Sequence, residues 1–252
     1  MNNDYVISLV EKDKRVDGRK LDEYREIKIE HNISKNAEGS AKCIMGDTEV
    51  LVGVKMEVGT PYSDRPEEGT IIINVELSPM ANPNFELGPP SPQATELARI
   101  VDRGIRESKC IDFKKLCIVK GEKVWLLLLD IYVVNDGGNL IDAAVLAALN
   151  ALKETVFPKL EGDKINYDEH TKEKLKLDKM PVTCTLYKVG GKILVDVDTR
   201  EEDSIDSRLS VAVNDGKINA LQKGGEKSLS SKEIEEMIDI AIKKEKELRK
   251  YV

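Results

Sequence analysis

Residues 123–152 read KVWLLLLDIYVVNDGGNLIDAAVLAALNAL and contain the longest apolar segment of the chain. The continuous apolar segment 124–129, which extends through Asp130 to Val134, predicts a strand that is buried on both faces. The pair Gly137-Gly138 predicts a sharp turn after this strand. From Ile141 to Leu152 the apolar residues recur at helical spacing. We therefore expect a strand, a glycine turn and a helix that packs back against the sheet.

This turn has the position of many phosphate sites, because the free N–H groups at the start of a helix suit an anion. The residues that follow it are Asn139, Leu140, Ile141 and Asp142. No Arg, Lys or hydroxyl group is therefore available, and an acid lies in the first helical turn. Two interpretations remain open: an ordinary tight turn, or a phosphate site that has lost its binding residues.

The composition is that of a globular protein, with 252 residues of which 40% are hydrophobic and 34% charged. A chain of this length can bury one large core or two compact halves. The N-terminus has no signal-peptide pattern, and the segment 124–134 is too short to span a membrane. These features predict a cytoplasmic chain without membrane contact. The net charge of −7 argues against a surface coated with basic residues, although it permits a local basic stripe.

Metal and cofactor sites have little support in the sequence. The cysteines are widely spaced without a Cys-x-x-Cys pair, so we expect them to be buried as small apolar residues. They are Cys43, Cys110, Cys117 and Cys184. His31 and His170 are far apart in the sequence, which argues against a zinc site. We predict no metal and no cofactor.

The order of the predicted elements is similar in two parts of the chain. Both parts begin with strands and end with a helix, and the second helix follows the capping-box pattern Ser230-x-x-Glu233. This order favours an α+β fold over a regularly alternating parallel fold. Residues 158–179 are charge-rich and without periodicity, which predicts a connecting segment. We therefore divide the chain into a first half, 1–157, this connection, and a second half, 180–252.

A helix predicted from about Pro92 to Ser108 carries arginines at a spacing of four and three residues, which places them on one face. They are Arg99, Arg103 and Arg106. Such a row can bind phosphates, because a guanidinium group offers several donors and stays charged. The alternative is a solvated face in which the arginines pair with nearby acids. Those acids are Glu96, Asp102 and Glu107.

The segment 196–203, DVDTREED, forms an acidic cluster after a predicted strand. It could bind a divalent cation or contain a general acid, because hard cations prefer oxygen ligands. Such a cluster is more often a solvated loop at a helix start, where acids favour the helix dipole.

Several motifs occur in the same order as in RNase PH-like proteins. They are Arg15-Val16-Asp17-Gly18-Arg19, the hairpin strands after Gly39-Ser40, Glu96-Leu97-Ala98-Arg99-x-x-x-Arg103-x-x-Arg106, Asp136-Gly137-Gly138, the acidic loop at Asp196 and the terminal helix. The chain resembles this family over nearly its whole length. The resemblance implies the RNase PH fold, which is α+β with two βαβα-type halves, the first of them like ribosomal protein S5 domain 2.

Active members of the family degrade RNA from the 3′ end by phosphorolysis. Inorganic phosphate attacks the last phosphodiester and a nucleoside diphosphate leaves. This chemistry needs an anion-binding site and an acid near the scissile bond, often with a metal ion. Active members carry two aspartates on the acidic loop, and the first of them matches Asp196.

The chain departs from the active members at several of these positions. Active members have Ser or Thr and then Arg after the glycine turn, where this chain has Asn139 and Leu140. Leucine cannot hold phosphate. The second loop aspartate falls on Glu202, and a further family aspartate falls near Arg208. Active members also have a basic loop before the arginine helix, whereas residues 77–98 contain no Lys or Arg. The departures imply that the chain has no catalytic residues.

The resemblance is strongest to the archaeal exosome subunit that lacks its own active site. Residues 67–76, 86–90 and 96–103 carry this likeness. It implies a non-catalytic component of a phosphate-dependent 3′→5′ exoribonuclease. Such a component structures the active site of its catalytic RNase PH-like paralogue in a ring of three heterodimers. The implied partners also include RNA-binding cap proteins and single-stranded RNA in the ring channel.

The resemblance implies a role for the arginine helix. Arg99, Arg103 and Arg106 are the implied RNA-binding residues, while Arg15 and Arg19 either contribute to RNA binding or brace the N-terminal segment. Two alternatives remain: an independently active phosphorolytic RNase with a relocated phosphate site, and a binding module of the same fold with no role in RNA binding.

Overall fold

The computed structural model describes residues 3–161 and 164–252. The first part of the chain contains three helices and six strands among these residues. They are α1 (Asn3–Val10), β1 (Ile27–His31), β2 (Gly39–Met45), β3 (Thr48–Gly59), β4 (Thr70–Leu77), α2 (Pro92–Ser108), β5 (Cys117–Val119), β6 (Lys123–Asn135) and α3 (Leu140–Glu154). The remaining elements are β7 (Val156–Glu161), β8 (Lys164–Lys174), β9 (Val182–Val189), β10 (Lys192–Val195), α4 (Thr199–Glu202), β11 (Ser207–Asn214), β12 (Lys217–Gly224) and α5 (Ser231–Leu248).

The first sheet has the strand order β1-β2-β3-β6-β4, with β5 also paired to β6. β6 is antiparallel to β3 and parallel to β4, so the predicted strand is central to the sheet. β5 pairs with β6 in an antiparallel arrangement, and the predicted glycine turn before α3 is confirmed. The second sheet is antiparallel with the order β10-β9-β11-β12. Its terminal helix, α5, begins at the predicted capping box of Ser230 and Glu233.

The prediction that β6 is buried on both faces is wrong. Leu127, Leu129 and Ile131 are fully buried, but Leu126 is only half-buried and Tyr132 is 49% exposed. Helix α3 packs against β2 and β3 on one face of the sheet, while the residues on the other face of β6 are only partly covered by the described part of the chain. The alternation of buried and partly exposed residues along β6 could not be recognised in the sequence, because most residues on the partly exposed face are apolar as well.

Helix α3 lies between the two sheets. Every residue from Leu140 to Leu152 is buried, and the helix contacts β2 and β3 of the first sheet and β9 of the second. Its small residues let both sheets approach closely. They are Ala143, Ala144, Ala147, Ala148 and Ala151. A helix that is buried all round is expected at the centre of a large core.

The segment 158–179 was predicted as an irregular connection, but most of it belongs to the antiparallel hairpin β7–β8. The hairpin is highly charged, and Lys159 pairs with Glu161 and Glu169 at 3.2 and 2.7 Å. Because both faces carry polar residues, the sequence lacks the alternation that marks a half-buried strand. The boundaries 1–157 and 180–252 of the two halves remain a prediction.

Two other predictions concern buried and membrane-spanning segments. Cys43, Cys110 and Cys184 are buried free thiols, as expected, and Cys117 is half-buried. Among the described residues, no helix is both long and apolar enough to cross a bilayer.

Candidate RNA interface and the occupied helix start

Helix α2 presents its arginines because its opposite face is apolar. The Ser91 side chain accepts a hydrogen bond from the Ala94 N–H, and Pro92 occupies the first turn, so the helix begins as predicted. Leu97, Ile100 and five other residues are buried against the neighbouring elements. The row of arginines therefore points away from the core.

Arg99 and Arg103 are exposed, and neither has an ion-pair partner among the described side chains. Both guanidinium groups are therefore available to an anionic ligand. Glu96, one of the acids that could have neutralised this row, pairs instead with Arg208 at 2.6 Å.

Arg106 is held within the chain. Its guanidinium forms an ion pair with Asp102 at 2.8 Å and donates to the Ile71 carbonyl at 3.0 Å. It also lies 5.5 Å from the centre of the Phe113 ring. The structure thus places Arg106 in the ion-paired arrangement that was the alternative interpretation, whereas Arg99 and Arg103 fit the phosphate-binding interpretation.

The glycine turn is tightly enclosed. Gly138 has a φ of +92°, and a Cβ atom there would lie 2.6 Å from the Val197 carbonyl oxygen. The Gly138 carbonyl accepts from the Thr48 hydroxyl at 2.6 Å, and the Gly137 carbonyl accepts from Arg25 Nη1 at 2.6 Å. Only glycine fits position 138 in this backbone conformation.

Asn139 occupies the position before α3 in a left-handed conformation and is buried. Its Nδ2 group donates to Asp142 and to Asp196, at 3.1 Å in each case. Its Oδ1 atom accepts from the Tyr187 hydroxyl at 2.9 Å. Both polar atoms of the Asn139 side chain are therefore hydrogen-bonded within the protein and are not available to a ligand.

Glu202 places a carboxyl group at the start of α3. The Asn139 backbone N–H interacts with this carboxyl group and acts to lower its pKa. Backbone N–H groups of this kind hold phosphate at a helix N-terminus. Burial and the charge of Asp136 raise the pKa of Glu202 to about 7. The chain thus fills this position with its own carboxyl group.

A cavity of about 300 Å³ adjoins this carboxyl group. Leu140 contributes to its apolar lining together with Leu97, Ile100 and Ile141, and Arg208 and Glu96 lie at its polar side. The described lining offers one guanidinium group, that of Arg208, whose Nη2 pairs with Glu96 and whose Nε has no hydrogen-bond partner among the described atoms. The cavity therefore lacks the cluster of donors that an inorganic phosphate requires.

We expect Glu202→Gln to stabilise the protein at alkaline pH only. The folded-state pKa of about 7 lies above the ordinary value of 4.5. The stability that the protonated carboxyl contributes is therefore complete below pH 4.5 and is lost as the pH rises through 7. After a discount for partial exposure, the gain at pH 8 is about 1–2 kcal/mol, or roughly 3–6 °C in Tm.

Thermal unfolding at pH 5 and pH 8 measures this effect. The matched control is Glu235→Gln, at an exposed glutamate of α5, and its Tm difference from the parent should be the same at both values of pH. An equal Tm change for Glu202→Gln at pH 5 and pH 8 would contradict the assignment.

Asp196 is also committed to internal partners. Its carboxylate accepts from Arg19 Nη1 at 2.9 Å, Arg25 Nη2 at 2.7 Å, the Arg25 backbone N–H at 2.7 Å and Asn139. Burial alone would raise the pKa of Asp196, but hydrogen bonds and charge from Arg25, with the charge of Arg19, hold it below its ordinary value. Asp196 thus ties the acidic loop to the N-terminal segment.

The acidic loop contains further internal ion pairs. Arg15 and Glu201 are both buried, with Arg15 Nε 3.0 Å from Glu201 Oε1. Arg15 and Arg19 therefore brace the N-terminal segment, which was one of the two interpretations. Asp198 caps α4 and pairs with Arg200. In the part of the chain that the structure describes, no three acidic, His or Cys side chains are grouped to hold a metal ion.

A buried polar network links the start of α3 to Tyr24 in the first part of the chain and to Thr185 in the second sheet. Asp142 accepts from the Tyr24 hydroxyl at 2.8 Å and from the Thr185 hydroxyl and backbone N–H at 2.7 and 3.1 Å. Burial raises the pKa of Asp142 to about 6 despite these donors. The only sequence signal was an acid in the first turn of α3, which did not identify its partners.

The sequence matches two family descriptions that together cover most of the chain. "3' exoribonuclease family, domain 1" (RNase PH) matches residues 23–158, and "3' exoribonuclease family, domain 2" matches residues 179–244. The chain is 46% identical to "Exosome complex component Rrp42" of Methanosarcina mazei, over 99% of this chain and 92% of that protein. It is 43% identical to the protein of the same name from Thermococcus kodakarensis, over 99% and 93% of the two chains.

Comparison with solved structures supports the same family assignment. A chain of the structure described as "archaeoglobus fulgidus exosome with RNA bound to the active site" superposes with a TM-score of 0.91 at 43% identity, covering 98% of this chain and 96% of that one. A chain of an "Archaeal exosome core" gives a TM-score of 0.88 at 41% identity, with 99% and 95% coverage. The chain therefore belongs to the RNase PH-type 3′ exoribonuclease family, with the two-domain α+β fold of that family.

Proposed function

We propose that the chain is a non-catalytic, RNA-guiding subunit of an archaeal exosome. One observation carries this proposal: the start of α3 holds the carboxylate of Glu202, while Arg99 and Arg103 on α2 remain exposed and unpaired among the described side chains. The position for phosphate is occupied, and the arginines are available for RNA.

The occupied helix start opposes phosphorolysis at this subunit. Inorganic phosphate would have to approach Glu202, whose partial negative charge and position on the Asn139 N–H compete directly with it. Leu140 provides no donor, and Asp196 is neutralised by Arg19 and Arg25. The attacking anion therefore has no vacant site here, and Asp196 is not free to act as a general acid.

The exposed arginines support binding of a single RNA strand. Two guanidinium groups one helical turn apart can contact successive parts of a phosphate backbone without reading its sequence. Such contacts release counterions, so they are salt-sensitive even in a chain of net negative charge. Arg106 then acts by stabilising α2 through Asp102 and Ile71.

The names of the relatives, which describe exosome components, support assembly into such a complex. In this proposal the subunit pairs with a catalytic RNase PH-like paralogue, and three such heterodimers form a ring whose channel holds single-stranded RNA. RNA-binding cap proteins complete the complex, which acts in the cytoplasm. The first half, residues 1–157, contributes the arginine face, and the second half, residues 180–252, contributes Glu202.

Release of nucleoside diphosphate from a single-stranded RNA in phosphate buffer tests this function. We expect no release by the purified chain alone and strong release after addition of the catalytic paralogue. Release by the chain alone would instead identify an independently active RNase with a relocated phosphate site. The variant Asn139→Ser with Leu140→Arg should remain inactive, because Glu202 still occupies the helix start.

A further inference from the structure

The loop at residues 78–91, which we call the proline loop, carries two unusually exposed apolar side chains. Met80 is 77% exposed and Leu87 is 78% exposed, the highest values for large hydrophobic residues in the described part of the chain. Both precede α2, the helix that carries Arg99 and Arg103. Exposed apolar residues that lie close together on a surface often mark a binding site for another protein.

The proline loop is held in one arrangement. Ala81 and Phe85 are buried and anchor the loop to the core. The Phe85 N–H donates to the Asn82 carbonyl at 3.0 Å, and the Asn82 side chain donates to Asp136 at 2.8 Å. The Asp136 N–H in turn donates to the Ala81 carbonyl at 3.2 Å. An element ordered before binding loses little conformational entropy on association.

A surface cavity of about 390 Å³ lies at the proline loop, and its lining includes Glu86 and Gly88, the sequence neighbours of Leu87. The end of β4, the proline loop and the first turn of α2 surround it. Its apolar lining includes Val75, Leu77, Phe85, Pro89, Pro90 and Ala94. The cavity can therefore accept an apolar side chain from a partner, as the central pockets of protein interfaces do.

The charge around the cavity is negative. Glu76 and Glu86 line it and are exposed, and Asp136 is hydrogen-bonded to the loop. Residues 77–98 contain no Lys or Arg. RNA phosphates would be repelled by this surface, whereas a protein segment with Lys or Arg beside an apolar tip would be attracted.

We propose that the proline loop binds a cationic segment of the catalytic paralogue, with Leu87 and Met80 as the apolar anchors. This inference rests on the proposed function, because it requires that the two subunits assemble. The loop ends at Ser91, which caps α2. Docking here therefore fixes the direction of the helix that presents Arg99 and Arg103 to the paralogue's side of the channel.

Direct measurement of affinity between this chain and the purified catalytic paralogue tests the proposal. Leu87→Asp and Met80→Asp should each weaken the heterodimer at least tenfold, since each places a charge in an apolar contact. Glu86→Lys should slow association several-fold at low salt and reduce its salt dependence. Tyr62→Asp is the matched control at an exposed aromatic on another loop, and it should change affinity less than twofold.

The Tm of each variant is measured first, and an unchanged Tm is expected because both loop side chains are exposed. Heterodimer affinity within twofold of the parent for both loop variants would overturn the proposal. So would self-association of this chain that Leu87→Asp abolishes, because it would assign the surface to a second copy. Failure of the proposed RNA-guiding function would give a different result. The heterodimer would assemble normally, but variants at Arg99 and Arg103 would bind RNA with the same affinity as the parent.

Discussion

Rings that carry Arg99→Glu together with Arg103→Glu will bind single-stranded RNA about 30- to 100-fold more weakly at low salt. The double variant removes two phosphate contacts and replaces them with two repelling charges. Each contact with single-stranded nucleic acid contributes about 0.7 to the slope of log K against log salt, so this slope should fall by about 1.4. Equilibrium binding of a fluorescent RNA at several salt concentrations measures both effects.

Arg106→Gln is the internal control for this experiment. Because the Arg106 guanidinium is bound to Asp102 and Ile71, we expect RNA affinity to change less than about threefold, with a small loss of stability. If the double variant binds RNA with parental affinity and salt slope, the arginine face has no role in RNA binding. That result would favour the alternative of a binding module of the same fold without RNA.

Asp196→Ala will lower the free energy of unfolding by about 3–5 kcal/mol, because it leaves two arginines without their buried partner. Arg19 and Arg25 both donate to this carboxylate, and Asn139 donates to it as well. For a chain of this length the loss corresponds to roughly 8–15 °C in Tm. Thermal unfolding of the purified subunit at neutral pH measures it.

Asp203→Ala is the matched control, because Asp203 lies on the same loop but is exposed. Its effect should be within about 0.5 kcal/mol. A Tm change of similar size in both variants would contradict the structural role of Asp196. In that case the position of the aspartate would require a different explanation, such as contact with the partner subunit.

The same carboxylate predicts the response to acid. Arg25 and Arg19 hold the pKa of Asp196 below its ordinary value of 3.8 in the folded state. The stability contributed by the ion pairs is therefore present above pH 3.8 and is lost as the pH falls through the folded-state pKa. Asp196→Ala should accordingly lose its disadvantage relative to the parent at strongly acidic pH.

Local signals were sufficient for the elements that position the site. Ser91 and Pro92 fixed the start of α2, and the spacing of Arg99 and Arg103 fixed their common face. Gly138 marked a turn that only glycine can form. Each of these features depends on residues within a few positions of one another, so their sequence pattern carries the structural information.

The partners of these residues could not be predicted in the same way. Arg25 and Asp196 are 171 positions apart, yet they form the central ion pair at the helix start. The Arg106 guanidinium contacts the Ile71 carbonyl and the Phe113 ring, and both lie near it only in the folded chain. Long-range pairing of this kind leaves no periodicity in the sequence.

Burial of β6 was predicted incorrectly for a related reason. Its outer face carries Leu126 and Leu128 although it is partly exposed in the single chain, so hydrophobicity alone indicated two covered faces. Apolar residues at partly exposed positions are expected where a subunit meets another protein, because obligate interfaces resemble a core that has been divided. A sequence pattern reports hydrophobicity but does not distinguish the chain's own core from an interface.

The most direct test of the central claim uses a ring in which the catalytic paralogue has been inactivated by substitution of its catalytic acid. With this chain unaltered in the ring, release of nucleoside diphosphate from single-stranded RNA in phosphate buffer is measured against a ring with an active paralogue. We expect no release above background, because Glu202 and Leu140 leave no site for phosphate in this subunit, and we expect RNA binding to be unchanged. Phosphate-dependent release from the inactivated ring would contradict it, since the activity could then come only from this chain.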